Sequence, residues 1–414
     1  IAKEFFAARG IKSNAGLEVP VVAVGKLGFP DLAERALREG DCDMVMLGRP
    51  LLADPEWPNK AFAGRVEEIR PCIGDQEGCI NEFVEGGHPQ CAVNPTTGFE
   101  ELYDGGELAP AAKSRKVAVV GAGPAGVTAA LVAARRGHEV TLYESRSGIG
   151  GMLVPGSRPA IKYEIRNYLD HLKAELSKAG AERSLKVELG KSPDAAELKA
   201  AGFDAILVST GSKQSRPPVP GIESPNVVFA VDLLRDPALL GAARSVVVVG
   251  GGVVGCETAY WLAHEKGIEV AVVEMLPEIM KGVCTANRGW LIHYLEERGV
   301  PLLNCARLAE VRPGQAVVAR NVSKTVPDPL VTWTPLLPEN IENPFAKKLK
   351  AVWREEILPA DLVVLAAGAR PDEAPYRALV EARAAPEIRS LGDAFHLGKV
   401  LEATRAAYAV AVSL

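Results

Sequence analysis

The chain has 414 residues, a formal net charge of −5, 48% hydrophobic and 24% charged residues, the balance of an ordinary folded protein of two to four domains. It carries no basic stripe for nucleic acid, no apolar run of the roughly 18 residues a membrane span needs, and no signal peptide. Its seven cysteines, odd in number and scattered, exclude a disulfide framework and point to a reducing cytoplasm.

The first predicted elements lie in residues 19–57. VPVVAVG and CDMVMLG are continuous apolar runs ending in glycine, as buried parallel strands do, and each is followed by a helix-compatible stretch. Gly25, Lys26, Gly48 and Arg49 occupy the turns after them. CIGDQEGCINEFVEGGHPQC then fills residues 72–91, placing Cys72, Asp75, Cys79 and Cys91 as C-x2-D-x3-C-x11-C. Iron–sulfur clusters are held by thiolates, and a carboxylate is also an anionic ligand of iron. A structural zinc site with His88 as a further ligand is the alternative metal reading. A cluster site that has decayed and a loop with incidental thiols are the further readings, and His88 in a Gly-Gly-His-Pro turn reads more simply as a surface residue than as a ligand.

An internal repeat follows. KVAVVGAGPAGVTAALVAARRGHEVTLYE begins at Lys116 and SVVVVGGGVVGCETAYWLAHEKGIEVAVVE at Ser245. Each is a β-branched strand, a glycine turn, a helix and a second strand ending in glutamate. Gly121, Gly123 and Gly126 give G-x-G-x-x-G, and so do Gly250, Gly252 and Gly255. The first glycine makes the tight turn, the second admits a pyrophosphate to the backbone, and the third lets helix and strand close up. Phosphate sits on the helix N-terminus, and Glu144 and Glu274 stand where an acid takes ribose hydroxyls. Two sites in one chain call for two nucleotides.

AILVSTGS and DLVVLAAGARP form matching strand exits, the first ending near Gly211. Between them VPDPLVTWTPLLPENIENP, residues 326–344, carries five prolines that forbid a regular helix or central strand. This arm is expected to pack on another domain or subunit, and an oligomer with it. Cys256, Cys284 and Cys305 are too far apart in sequence for a redox couple and read as small buried hydrophobes.

The arrangement from residue 113 onward resembles the flavoprotein oxidoreductases with two dinucleotide domains. That resemblance implies FAD on Gly121, Gly123, Ala125, Gly126, Glu144, Gly151, Gly211, Gly392 and Asp393, with NADH on Gly250, Gly252, Gly255 and Glu274. The words VAVGK, GDCDMV and LGRPLLADP, followed by the cysteines, extend it. Together they resemble the old-yellow-enzyme-related reductases, namely 2,4-dienoyl-CoA reductase, 2-enoate reductase and trimethylamine dehydrogenase. In that family an FMN-binding TIM barrel precedes a [4Fe-4S] segment and two nucleotide domains.

The expected fold is therefore α/β. Residues 1–66 would be the last two βα units of a TIM barrel, and 67–112 the iron–sulfur segment and linker. Residues 113–214 and 355–414 would form the FAD domain, and 215–354 the NAD(P)H domain. Phosphate sites in such barrels lie in the last two loops, which implies FMN contacts from Gly25, Gly48 and Arg49. The family's fourth cysteine is here Asp75, so the resemblance implies either a carboxylate-ligated [4Fe-4S] or a [3Fe-4S] cluster.

Six barrel strands and the family's proton donor are not in this sequence, and the chain opens on Ile1 rather than Met. The reading is that it is the C-terminal piece of a longer polypeptide, or that a partner subunit supplies the rest. The implied electron route runs from NADH to FAD, to the cluster, to FMN and to an activated carbon–carbon double bond of a 2-enoate or dienoyl-CoA-like small molecule. An amine dehydrogenase running the other way and a diaphorase-like electron-transfer subunit are the alternatives.

Overall fold

The computed structural model describes residues 2–12, 18–84, 86–106, 108–181, 185–331 and 348–414. Most of the proline-rich arm expected to pack on a neighbour lies outside them.

Two five-stranded parallel sheets organise the chain. In the first, Lys116–Val120 is central, with Glu139–Glu144 and Leu185–Leu189 to one side and Ala205–Val208 and Glu387–Ser390 to the other. In the second, Ser245–Val249 lies between Glu269–Val273, followed by Leu302–Leu303, and Leu362–Leu365, followed by Val227–Phe229. Strand order reverses at each central strand, so a crevice opens at its carboxyl end, where the glycine turns are. The unbroken apolar pattern follows from burial on both faces: Val117, Val119, Val247 and Val248 are wholly enclosed.

Helix Pro124–Arg135 starts on the glycine turn with a proline in its first turn, where the missing N–H costs nothing. Its alanines let it lie close under the first sheet, and helix Val400–Val412 packs against it. A three-stranded antiparallel sheet, Ala306–Arg312, Gln315–Asn321 and Trp353–Pro359, extends the second module. This corrects the expected return to the first domain at residue 355. The chain stays in the second module through Leu365 and rejoins the first through Ala369–Pro371, which pairs with Ser212–Gln214.

The two early strands are found as Val22–Val24 and Met44–Met46, paired in parallel. They are not buried as expected: Val24 is 68% and Met46 57% exposed. No third strand lies beside them among the described residues, and the face carrying Val22, Val24, Met44 and Met46 is exposed. The cysteine segment is pinned just beyond its last cysteine. Asn94 and Thr97 donate to the Leu52 carbonyl at 2.9 and 2.8 Å, and Thr404 donates to the Ala92 carbonyl at 2.7 Å. Among the described residues no helix is long and apolar enough to cross a membrane.

Candidate functional site

At the carboxyl end of the first sheet is a cleft of about 540 Å3, within the usual size of a cofactor pocket. Gly121, Gly123, Ala125, Glu144, Gly151, Gly211, Gly392 and Asp393 all line it. Gly126 lies beneath, as its motif position requires: a Cβ there would stand 1.8 Å from the Gly121 carbonyl oxygen. Gly123 has the opposite environment, its nearest neighbour 3.9 Å from a notional Cβ, which leaves its backbone open to the cleft.

Glu144 is almost fully buried, and its carboxylate does more than face the cleft. Oε2 accepts the Ala122 N–H at 2.9 Å and Oε1 the Arg146 N–H at 3.0 Å, so the acid braces the glycine turn it follows. Oε1 also accepts the Ser145 hydroxyl at 3.2 Å, so it is Oε2 that keeps a lone pair for a ribose hydroxyl. Burial pushes Asp393 above the ordinary carboxylate range, and it accepts the Gly398 N–H at 3.1 Å. Arg146, Lys191 and Arg235 add positive charge to the walls. Arg235 comes from the second module and donates to the Gly151 carbonyl at 3.1 Å, a partner 84 residues away that no local pattern announces.

The second turn repeats this construction. A Cβ on Gly255 would meet the Gly250 carbonyl oxygen at 1.8 Å, whereas nothing lies within 4 Å of one on Gly252. Glu274 accepts the Gly251 N–H at 2.6 Å and the Leu276 N–H at 2.7 Å. Met275 beside it is exposed and carries no charge. The ion pair Lys162–Glu257, at 2.7 Å, joins the two modules.

Cys72, Asp75, Cys79 and Cys91 line one small pocket, together with Arg49. Burial pushes all three thiols above their ordinary range, Cys91 to about 12, and pushes Asp75 up to about 6, with Glu77 adding to the shift. Against burial, backbone N–H groups are aimed at each sulfur: Gly74 at Cys72 (3.4 Å), Ile80 at Cys79, and Val93 and Asn94 at Cys91. Donors of that kind stabilise thiolate. Four groups able to be anionic, in a space walled by one cation, fit a metal centre that would hold them ionised. Among the described residues no three His, Cys, Asp or Glu side chains close round a single point to hold one ion. His88 is turned elsewhere, its Nε2 at 2.6 Å from the Gly98 carbonyl. Three thiols and one carboxyl, without His88, are thus the donors this pocket offers a metal group.

Sequence reasoning missed what holds this loop. Asn287, on helix Thr285–Glu297 of the second module, donates to the Asp75 carbonyl at 2.6 Å and accepts from Gln76 at 3.1 Å. Lys399 pairs with Glu77 at 2.7 Å from the first module. Arg49 opens a five-residue helix after Gly48 and also walls a second hollow with Lys26, Tyr163 and Glu164. A Cβ on Gly25 or Gly48 would meet nothing within 4 Å. Cys256, Cys284 and Cys305 are buried as expected.

Two glycine-turn modules sharing one chain, one of them opening on a dinucleotide-sized cleft, define a two-module dinucleotide-binding oxidoreductase. Residues 115–389 match the pyridine nucleotide-disulphide oxidoreductase family, and residues 8–68 the NADH:flavin oxidoreductase / NADH oxidase family. The chain belongs to the pyridine nucleotide-disulphide oxidoreductase family, in the branch that carries an NADH:flavin oxidoreductase segment ahead of the two modules. It is 36% identical, over 95% of its length, to an NADH oxidase of Thermoanaerobacter brockii, covering 55% of that protein. To a cinnamate reductase of Clostridium sporogenes it is 38% identical over 68% of its length, covering 41%. A solved 2-naphthoyl-CoA reductase in complex with 2-naphthoyl-CoA matches 97% of this chain and 55% of its own, with a TM-score of 0.82 and 29% identity. The chain thus spans about half the length of these relatives.

Proposed function

We propose that this chain is the electron-delivering portion of an NADH-dependent flavoprotein that reduces an activated carbon–carbon double bond, in a 2-enoate or acyl-CoA-like small molecule. The observation that carries the reading is the convergence of Cys72, Asp75, Cys79 and Cys91 on one pocket with Arg49, which follows the early strand pair. An electron-transfer module alone has no use for that strand pair. The similarity to a cinnamate reductase favours a double bond as acceptor.

In this reading the first cleft takes FAD, with Gly123 and Gly151 admitting its pyrophosphate, Glu144 its ribose and Asp393 its ribityl chain. The second turn takes NADH on Gly252 and Glu274. The three thiolates and Asp75 would hold an iron–sulfur cluster, and Gly25, Gly48 and Arg49 an FMN phosphate. When bound, FAD supplies hydride acceptance, the cluster one-electron transfer, and FMN hydride delivery to the double bond. The chain's own residues position the ligands: Asn287 and Lys399 hold the ligand loop against both modules.

Anaerobic purification with assay of FAD, iron and sulfide tests this, followed by NADH-dependent consumption of cinnamate once the barrel residues are supplied. FAD with iron and sulfide, and loss of the enoate absorbance, is expected. A preparation free of iron that still oxidises NADH would reduce the reading to a diaphorase.

A further inference from the structure

A second cavity, of about 110 Å3, shares Val93 as a wall with the thiol pocket and lies outside the FAD cleft. Helices Pro124–Arg135, Tyr163–Ala181 and Val400–Val412 meet there with the segment after Cys91. Two residues of its wall, Tyr408 and His171, each carry a polar atom, Oη and Nδ1, that is buried without a hydrogen-bond partner among the described residues, in side chains belonging to residues only 6% and 9% exposed. Buried polar groups are rarely left so unless something binds them.

The charges of the wall do not balance. Arg135 is paired with Glu175. Arg70 donates its backbone N–H to Asp54 at 2.8 Å, but among the described residues its guanidinium meets no carboxylate. It lies close enough to raise the cost of charge on His171, whose pKa burial and Arg70 together push down to about 3. The imidazole is therefore neutral. Burial keeps the Tyr408 phenol protonated and able to donate. The wall also carries hydrocarbon, from Leu131 and Leu172.

We propose that this cavity binds a small carboxylate, its charge held by Arg70 and the Tyr408 hydroxyl and its short hydrocarbon part lying on Leu131 and Leu172. A guanidinium fork and a phenol donor match a carboxylate's oxygens, and the mixed wall selects a short fatty acid over inorganic phosphate.

Calorimetric titration of the FAD-loaded protein with propionate, in saturating NAD+ so that neither nucleotide site is free, tests it. One saturable site is expected. Tyr408→Phe should weaken binding about tenfold, the worth of one hydrogen bond to a charged group. Arg70→Gln should abolish it. Because Arg70 lies two residues before Cys72, the loss of one oxygen in Tyr408→Phe keeps the question decidable if Arg70→Gln fails to fold. Absence of saturable binding, unchanged affinity in Tyr408→Phe, tighter binding of inorganic phosphate, or only water in the cavity of crystals grown at saturating propionate would each overturn the assignment.

Discussion

At the scale of single residues, Asp75 is the position where this chain departs from a four-thiolate pattern. Its carboxyl sits among three half-buried thiols and is pushed up to about 6, chiefly by burial, so it is poorly placed as a free ion. A carboxylate suits a sulfide-bridged iron less well than thiolate does. Asp75→Cys should therefore leave an iron content that resists chelator and oxygen, with the midpoint potential shifted. Asp75→Ala should favour the three-iron form, read by electron paramagnetic resonance, whereas loss of Cys72, Cys79 or Cys91 should release the cluster. Glu274 gives the second residue-scale prediction. Its carboxylate is fixed by two backbone N–H groups, and the exposed Met275 beside it supplies no cation, so a 2′-phosphate would be repelled. NADH should exceed NADPH in kcat/KM by at least about tenfold, the ratio for a difference of 1.4 kcal/mol. Equal values would refute this. These residues were legible in the sequence because each belongs to a short local pattern. Asn287 and Arg235 were not, because what they hold lies 212 and 84 residues away and depends on how the modules dock.

At the scale of elements, the strand–glycine–helix unit separates packing from binding within six residues. Gly255 is filled from below by the Gly250 carbonyl, whereas Gly252 faces open space. Gly255→Ala should push helix Val253–Tyr260 off its strand and cost on the order of 1–3 kcal/mol, as overpacked cores do. Gly252→Ala puts its methyl only where a pyrophosphate would approach. It should unfold within about 1 kcal/mol of the parent, since alanine is merely a poorer cap than glycine, and retain FAD. The KM for NADH should nevertheless rise at least tenfold, by the same ratio of about 1.4 kcal/mol. Denaturant unfolding and steady-state kinetics on the two variants check this, and a similar loss of stability in both would count against it. Both nucleotide modules could be read from this unit because the turn, the helix start and the acid all fall within one βαβ stretch. The return to the first module could not. WREEILP continues an antiparallel sheet, and Leu362–Leu365 inserts between two second-module strands, with only long-range pairing to mark the crossing.

For the whole molecule, the early strand pair is the part whose sequence pattern and surroundings disagree most. VAV and MVM have the composition of strands buried on both faces, yet Val24 and Met46 lie open. Pattern reports what a strand is built to be covered by, and cannot report whether the cover is present in the same residues. The loops proposed to hold an FMN phosphate are open as well: Gly25 and Gly48 face open space, and Arg49 lines both the hollow beside Lys26 and the thiol pocket. A barrel that holds a flavin closes on eight strands, with its phosphate gripped by the last two loops. Two strands can offer the grip without walls for the ring. The chain alone should therefore retain FAD, whose cleft is complete, and lack FMN. FMN should appear once the remaining strands are supplied, on the same polypeptide or by a partner subunit. In that complete assembly Arg49→Met should weaken FMN retention by about 10–100-fold, the worth of a charge-assisted pair of hydrogen bonds at about 1.5–3 kcal/mol, and leave the FAD content unchanged. Flavin extracted from each preparation and separated by chromatography decides it. One equivalent of FMN on the 414-residue chain by itself would remove the barrel reading of the early strands.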